Sequence, residues 1–126
     1  MFYVQLNIGR DVTDQGPLTD SEWETFQADT RDMLVELWQD LTGEYRGEPS
    51  VEVHTGGGVW LDHSEESAHL SVLIPVGVQP GTQAAVMARF NRGLGQLARD
   101  FHQDSIALIT GSKLIKARRD VAGGGR

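Results

Sequence analysis

Two histidines and one carboxylate lie at spacings that could support acid–base or metal chemistry. Glu52 and His54 stand two residues apart in an apolar run that alternates with polar positions, and His69 holds a polar position in a second such run. Residues two apart on a strand share a face, so a hairpin of these runs would gather the three side chains. Imidazole changes charge near neutral pH and is a frequent metal ligand. The same residues would also suit a solvated sheet face, and we predict neither a metal ion nor a cofactor.

Two further segments between these runs resemble sites less closely. The polar segment 62–66 (Asp-His-Ser-Glu-Glu) could bind a cation with His69, but it is also ordinary composition for a hairpin loop. Three glycines at 56–58 do not join a strand to a helix, and no Gly-Lys-Ser or Gly-Lys-Thr follows them, so they do not match a phosphate-binding loop. We interpret them as a bulge or as a place where another group approaches the backbone closely.

The remaining chain predicts the elements that would position these residues. Phe2 to Ile8 alternates as a strand, and Thr19 with Glu22 has the spacing of a capping box that begins a helix. A second helix is predicted after Gly81, with Thr82 as its N-cap, and Ser105 to Thr110 forms a last strand that could extend to Ile115. Apolar residues recur at helical steps in both helices, at Trp23, Phe26, Thr30, Met33 or Leu34, Leu37 and Leu41, and at Val86, Phe90, Leu94, Leu97 and Phe101.

This order, β-α-β-β-α-β, predicts an α+β, two-layer ferredoxin-like sandwich. Right-handed crossovers place both helices on one face of a four-stranded antiparallel sheet, with the first and third strands in the centre. The other face, which we call the open sheet face, carries Tyr3, Gln5, Asn7, Glu52, His54, His69, Ser71, Leu73 and either Ala107 or Ile109. Its candidate ligand-binding residues are Tyr3, Gln5, Asn7, Glu52, His54, His69 and Ser71. No side chain on it is assigned a catalytic role, since no nucleophile motif occurs.

Length and composition favour a single domain. The 126 residues are 39% hydrophobic and 23% charged, which is ordinary for a globular protein and too polar for a membrane span. We expect the domain to cover residues 1–116, followed by a flexible basic and glycine-rich tail at 117–126. The chain has no cysteine, which excludes disulfides and thiolate chemistry. With no signal-peptide pattern at its start, it is expected in the cytoplasm.

Charge is distributed unevenly along the chain. Residues 11–66 hold fifteen acidic and two basic side chains, whereas residues 67–126 hold three acidic and eight basic ones, and the net charge is −7. An acidic first half repels nucleic acid and permits a partner protein with a basic surface or a self-complementary assembly. The basic cluster at 113–119 lacks interleaved aromatic residues, and only Tyr3 is placed to stack a base, so we expect no nucleic-acid partner.

Three segments carry a resemblance to a group of known proteins. Phe2 to Arg10, Trp23 with Phe26, and Phe101 to Leu108 together resemble short uncharacterised proteins of actinobacteria and their phages. The resemblance spans most of the chain and brings no established activity. It implies a phage or prophage accessory protein that works in the bacterial host cytoplasm.

Two functional hypotheses follow. The first is a non-enzymatic protein that binds a host protein or a small ligand, as a homo-oligomer formed through its open sheet face or an edge strand. The second is a cofactor-free dimeric α+β-barrel enzyme in which His54 and His69 perform acid–base chemistry over an enclosed sheet. The second depends on an analogy of fold, and fold does not imply function.

Overall fold

The chain is described by a computed structural model, which covers residues 1–12, 16–60, 63–75, 77, 79–104 and 106–111. Residues 57–60 and 63–65 are described by their backbone alone. The elements are β1 (Phe2–Gly9), β2 (Asp11–Val12), β3 (Gly16–Pro17), α1 (Asp20–Thr42), β4 (Glu52–Trp60), β5 (His63–Ile74), α2 (Pro80–Asp100) and β6 (Ala107–Gly111). The predicted tail and the predicted extension of the last strand lie outside the described residues.

The main sheet has four antiparallel strands in the order β4-β5-β1-β6. The predicted first and third strands, β1 and β5, are therefore central, as expected. β1 pairs with β5 from Phe2 opposite Ile74 to Gly9 opposite Ser67, and with β6 from Tyr3 opposite Gly111 to Asn7 opposite Ala107. A second, two-stranded sheet joins β2 to β3.

One hydrophobic core lies between the helices and one face of the sheet. It includes the inward residues of both central strands and the apolar stripes of both helices, namely Val4, Leu6, Ile8, Leu70, Val72, Ile74, Trp23, Phe26, Leu34, Leu37, Leu41, Val86, Phe90, Leu94 and Leu97. Because both helices share this core, they lie on the same side of the sheet. The structure confirms the two-layer ferredoxin-like α+β sandwich.

The first helix begins as its sequence predicts and ends at a glycine. Thr19 is the N-cap of α1: its hydroxyl accepts from the Glu22 backbone N–H at 3.1 Å, and the Glu22 carboxylate accepts from the Thr19 N–H at 2.9 Å. The hydrogen bonds from Thr19, backbone first, hold the pKa of Glu22 below its ordinary value, and His102 adds a smaller attraction. Gly43 ends the helix with φ of 77°, a left-handed conformation that costs glycine little.

The second helix begins before its predicted N-cap. It begins at Pro80 with Gln79 as N-cap, so Thr82 lies inside the first turn, and Gln79 makes no side-chain cap. Proline at the first helical position fits because that N–H would have no partner in the helix. After the helix, His102 adopts φ of 56° while Gln103 N–H bonds to the Ala98 carbonyl, a Schellman-type ending without glycine.

The hairpin is longer and more regular than predicted. β4 and β5 pair at nine consecutive positions from Glu52 opposite Ser71 to Trp60 opposite His63, so Gly56 to Gly58 form no bulge. The predicted loop is also wrong over residues 63–66, which belong to β5. Polar composition indicated a loop, but backbone pairing with the neighbouring strand outweighs that local preference. None of the helices in the described part of the chain combines the length and apolarity that crossing a membrane requires.

Candidate functional site: the open sheet face

The strand registers place the predicted site residues in three rows across the open sheet face. One row consists of His54, His69, Asn7 and Ala107, and the next of Glu52, Ser71, Gln5 and Ile109. The third consists of Leu73, Tyr3 and Gly111. All seven predicted site residues therefore share one face, and Ala107 and Ile109 both join them where only one was expected.

The two histidines are direct neighbours. His54 pairs with His69 across β4 and β5, and His54 Nε2 lies 3.8 Å from a carboxylate oxygen of Glu52. Both members of this ion pair are about three-quarters exposed, at 75% for His54 and 74% for Glu52. Water screens such a pair, so it holds neither side chain firmly. Among the described residues, no group of three or more His, Asp or Glu side chains is placed to hold a metal ion.

The Tyr3 ring lies close to the backbone of the edge strand β6 on the open sheet face. It pairs with Gly111 of β6, and a Cβ built on Gly111 would stand 2.6 Å from the tyrosine ring. No real side chain tolerates that approach, so the glycine is what allows the ring to lie over the edge strand. An aromatic ring covering a glycine in a neighbouring strand compensates for the missing side chain.

A pocket of about 430 Å³ adjoins this ring on the open sheet face. Tyr3 and Leu73 give it an apolar side, Glu52 contributes a carboxylate at its rim, and the remaining lining comes from Ser50, Ser71 and Val72. Leu73 is 50% exposed, and Ile109 of the adjoining row is 39% exposed. The pocket thus joins apolar surface, hydroxyl groups and one negative charge, the mixture that orients small ligands.

Two polar side chains of β1 are hydrogen-bonded to each other. Gln5 Nε2 donates to Asn7 Oδ1 at 2.8 Å along the strand, and both side chains are half-buried. This bond leaves the carbonyl oxygen of Gln5 and the amide nitrogen of Asn7 for other partners. A central strand therefore presents one acceptor and one donor beside the histidine row.

Arg10 makes ion pairs and a hydrogen bond that the sequence did not predict. Its side chain, 17% exposed, donates to Asp20 at 2.6 Å, to Glu66 and, through Nε, to the Leu18 carbonyl at 2.7 Å. These bonds, to Asp20 first and Glu66 second, raise the pKa of Arg10. They join the end of β1 to β5 and to the start of α1. Its separation of 56 residues from Glu66 gave no local signal of the contact.

The search for similar proteins gives likeness of structure only. No family model matches the chain, and no curated protein matches it. A phage SAM lyase in the apo state is 17% identical, with 86% of this chain and 78% of that chain covered and a TM-score of 0.48. The same kind of enzyme in complex with S-methyl-5'-thioadenosine gives 16%, the same coverage and a TM-score of 0.44. A DUF3240 family protein of Shewanella baltica gives 12%, with 94% and 97% covered and a TM-score of 0.48. With TM-scores under 0.5, these likenesses carry no argument about function.

Proposed function

We propose that this chain is a non-catalytic binding protein, a phage or prophage accessory protein that acts in the host cytoplasm as a homo-oligomer. Its recognition surface is the open sheet face. The observation that carries the proposal is the pocket beside Tyr3 and Leu73, where a positioned ring, an exposed apolar side chain and a carboxylate meet. The phage assignment is supported by the sequence resemblance over Phe2 to Arg10 and Phe101 to Leu108.

The lining of the pocket favours a cationic group attached to an apolar or aromatic body. Glu52 attracts positive charge, and the face of the Tyr3 ring adds a cation–π attraction. Leu73 supplies apolar contact for the body of the ligand. A small aromatic amine has this chemistry, and so does a lysine or arginine beside an apolar residue on a host protein with a basic surface. The acidic surplus of residues 11–66 favours either source of the cation.

An NMR titration tests this pocket with two probes of similar shape and opposite charge. Tryptamine should shift the backbone amide signals of Ser71 and Leu73, whereas indole-3-acetate should shift them little. Glu52→Gln should weaken tryptamine binding about two- to fivefold, the effect of one exposed charge contact. Glu36→Gln, which removes an exposed charge on α1 in the helix layer, should leave binding unchanged. Equal shifts with both probes, or none with either, would reject a cation-selective pocket on this face.

The cofactor-free barrel enzyme is a second candidate, and the direct pairing of His54 with His69 favours it. Such an enzyme needs a second copy packed over the open sheet face to exclude water from the imidazoles. Diethyl pyrocarbonate labelling of the assembled protein separates the two candidates, because exposed His102 provides an internal control. Labelling of His54 and His69 as fast as His102 supports the binding protein. Protection of both, with His102 still reactive, supports the enzyme.

A further inference from the structure

β4 is an edge strand with few of the features that usually protect against pairing. It stands last in the strand order, and within the described chain β5 is its only strand partner. It is nine residues long, whereas β6 at the opposite edge has five among the described residues. Edge strands are commonly protected by lysine, proline, a bulge or short length. The sequence of β4 (EVHTGGGVW) has neither lysine nor proline, and its ladder with β5 is regular.

Gly56 gives a second, independent observation. Its φ is not positive, and a Cβ built on it would meet no atom within 4 Å. Neither backbone conformation nor packing within the described chain therefore requires glycine here, although glycine weakens a strand. Glycine inside a strand often marks the place where another backbone approaches closely. At an open edge, that backbone belongs to another chain.

We infer that a second copy of this chain pairs antiparallel along this edge, with the two-fold axis at Val53. In this register residues 50–56 of the two copies lie side by side, and Gly56 of each copy faces Ser50 of the other. This register places Glu52 of each copy opposite His54 of the other, so both ionisable groups of β4 gain an opposite partner when the imidazole is protonated. Val53, 44% exposed on the helix side of the sheet, faces its own copy and loses that exposure. A register centred on Gly56 would set glycine against glycine and offer no side-chain pair at its centre.

This pairing of two β4 strands is the interface of the homo-oligomer proposed above, on which it rests. It leaves the open sheet face uncovered. A two-fold axis perpendicular to the sheet keeps both open faces on the same side, so the two ladders become one continuous sheet. The recognition surface is then doubled in width. The barrel dimer of the alternative hypothesis would instead cover that surface, so the two assemblies make opposite predictions for the same residues.

Single-cysteine cross-linking tests the register, because the natural chain has no cysteine. Residues directly opposite in an antiparallel pair have Cα atoms roughly 4.5–5.5 Å apart, within the range that a disulfide spans. Val53→Cys should form a covalent dimer under mild oxidation, whereas Ile109→Cys on the open sheet face should stay mostly monomeric on a non-reducing gel. Cross-linking through Gly56→Cys but not Val53→Cys would overturn this register, and cross-linking through Ile109→Cys alone would overturn the edge interface.

A matched pair of lysine variants tests the interface without a covalent bond. Val53→Lys and Ile109→Lys introduce the same charge at sites of similar exposure, 44% and 39%. Sedimentation should show that Val53→Lys dissociates the dimer at least tenfold more readily, because two lysines then face each other, while Ile109→Lys remains dimeric. A natural chain that is monomeric at all concentrations, or a dimer lost only with Ile109→Lys, would overturn the inference. If the Val53→Lys monomer binds tryptamine, the binding site proposed on the open sheet face does not depend on the edge interface.

Discussion

The two faces of the central strands differ in how fully the fold accounts for their residues. On the covered face, Val4, Leu6, Leu70 and Ile74 are at most 1% exposed and belong to one core with both helices. On the open sheet face the same strands carry a tyrosine, amides, a histidine, a serine and a half-exposed leucine. Burial explains the first set completely. Burial does not explain the second set, so we expect the recognition of a partner or ligand to account for it.

The largest expected difference between the faces concerns one aromatic and one aliphatic residue. Phe26 is fully buried, stacks on Phe101 at 4.6 Å and meets Trp23 edge-on at 6.0 Å. Phe26→Ala should therefore lower the free energy of unfolding by about 3–5 kcal/mol, through lost contacts and a residual cavity. Leu73→Ala on the open sheet face should lower it by less than about 1 kcal/mol. Urea denaturation of both variants measures the contrast.

Leu73→Ala should nevertheless weaken tryptamine binding, which Phe26→Ala has no direct means to do while the protein remains folded. If Leu73→Ala lowered the free energy of unfolding as much as Phe26→Ala does, the comparison would fail, because Leu73 would then be covered in solution. Repeating the denaturation at several protein concentrations detects such a cover, since an oligomer's stability depends on concentration.

The covered face could be predicted from sequence because local rules and burial agree there. Alternation identified the inward residues of β1, the Thr19 and Glu22 spacing identified the start of α1, and helical periodicity identified its buried stripe. Gly43 ends α1 with φ of 77°, and glycine is the common residue at such a helix end. Each of these signals lies within a few residues in the sequence, and each points to the same fold.

The sequence predicted which residues lie on the open sheet face but not how their side chains are arranged. The facing of Glu52, His54 and His69 follows from alternation, whereas the exposure of Glu52 and His54 follows from the position of β4 at the edge. The ring of Tyr3 over Gly111 joins positions 108 residues apart, and the Arg10 contact with Glu66 is likewise distant. Strand register sets these contacts, and the hairpin register itself was obscured by the polar composition of residues 62–66, which favoured a loop.

The next largest effect sharpens the comparison at the close contact between Tyr3 and Gly111 on the open sheet face. Gly111→Ala should lower the free energy of unfolding by about 1–3 kcal/mol, because the new methyl group collides with the Tyr3 ring. In a Tyr3→Ala background the same change should cost nothing or stabilise slightly, since alanine orders a strand better than glycine. Urea denaturation of the four proteins gives the coupling. Equal costs in both backgrounds would mean that the ring does not lie over Gly111.

A smaller effect concerns the helix layer that covers the core. Thr19→Ala removes the N-cap hydroxyl and should lower the free energy of unfolding by about 1 kcal/mol. Glu22 adds a pH dependence: since folding lowers its pKa, its contribution is fully present above the ordinary value of 4.5 and is lost as pH falls through the lowered value. Glu22→Gln should therefore flatten the loss of stability between about pH 5 and pH 3, measured by urea denaturation. Asp32→Asn on the exposed side of α1 is the matched control, and an equal flattening by it would contradict the assignment to the cap.

The smallest effect addresses whether the fold requires the amides of β1. Gln5→Thr with Asn7→Thr removes their mutual hydrogen bond of 2.8 Å, but threonine suits a half-buried strand. The change in the free energy of unfolding should stay within about 0.5 kcal/mol. If it does, these two residues are not needed to hold β1 between its neighbours, and their identity is free to serve a partner on the open sheet face. A loss above about 2 kcal/mol, the size expected when buried polar groups lose their partners, would instead make the amides part of the fold and confine recognition to the pocket beside Tyr3.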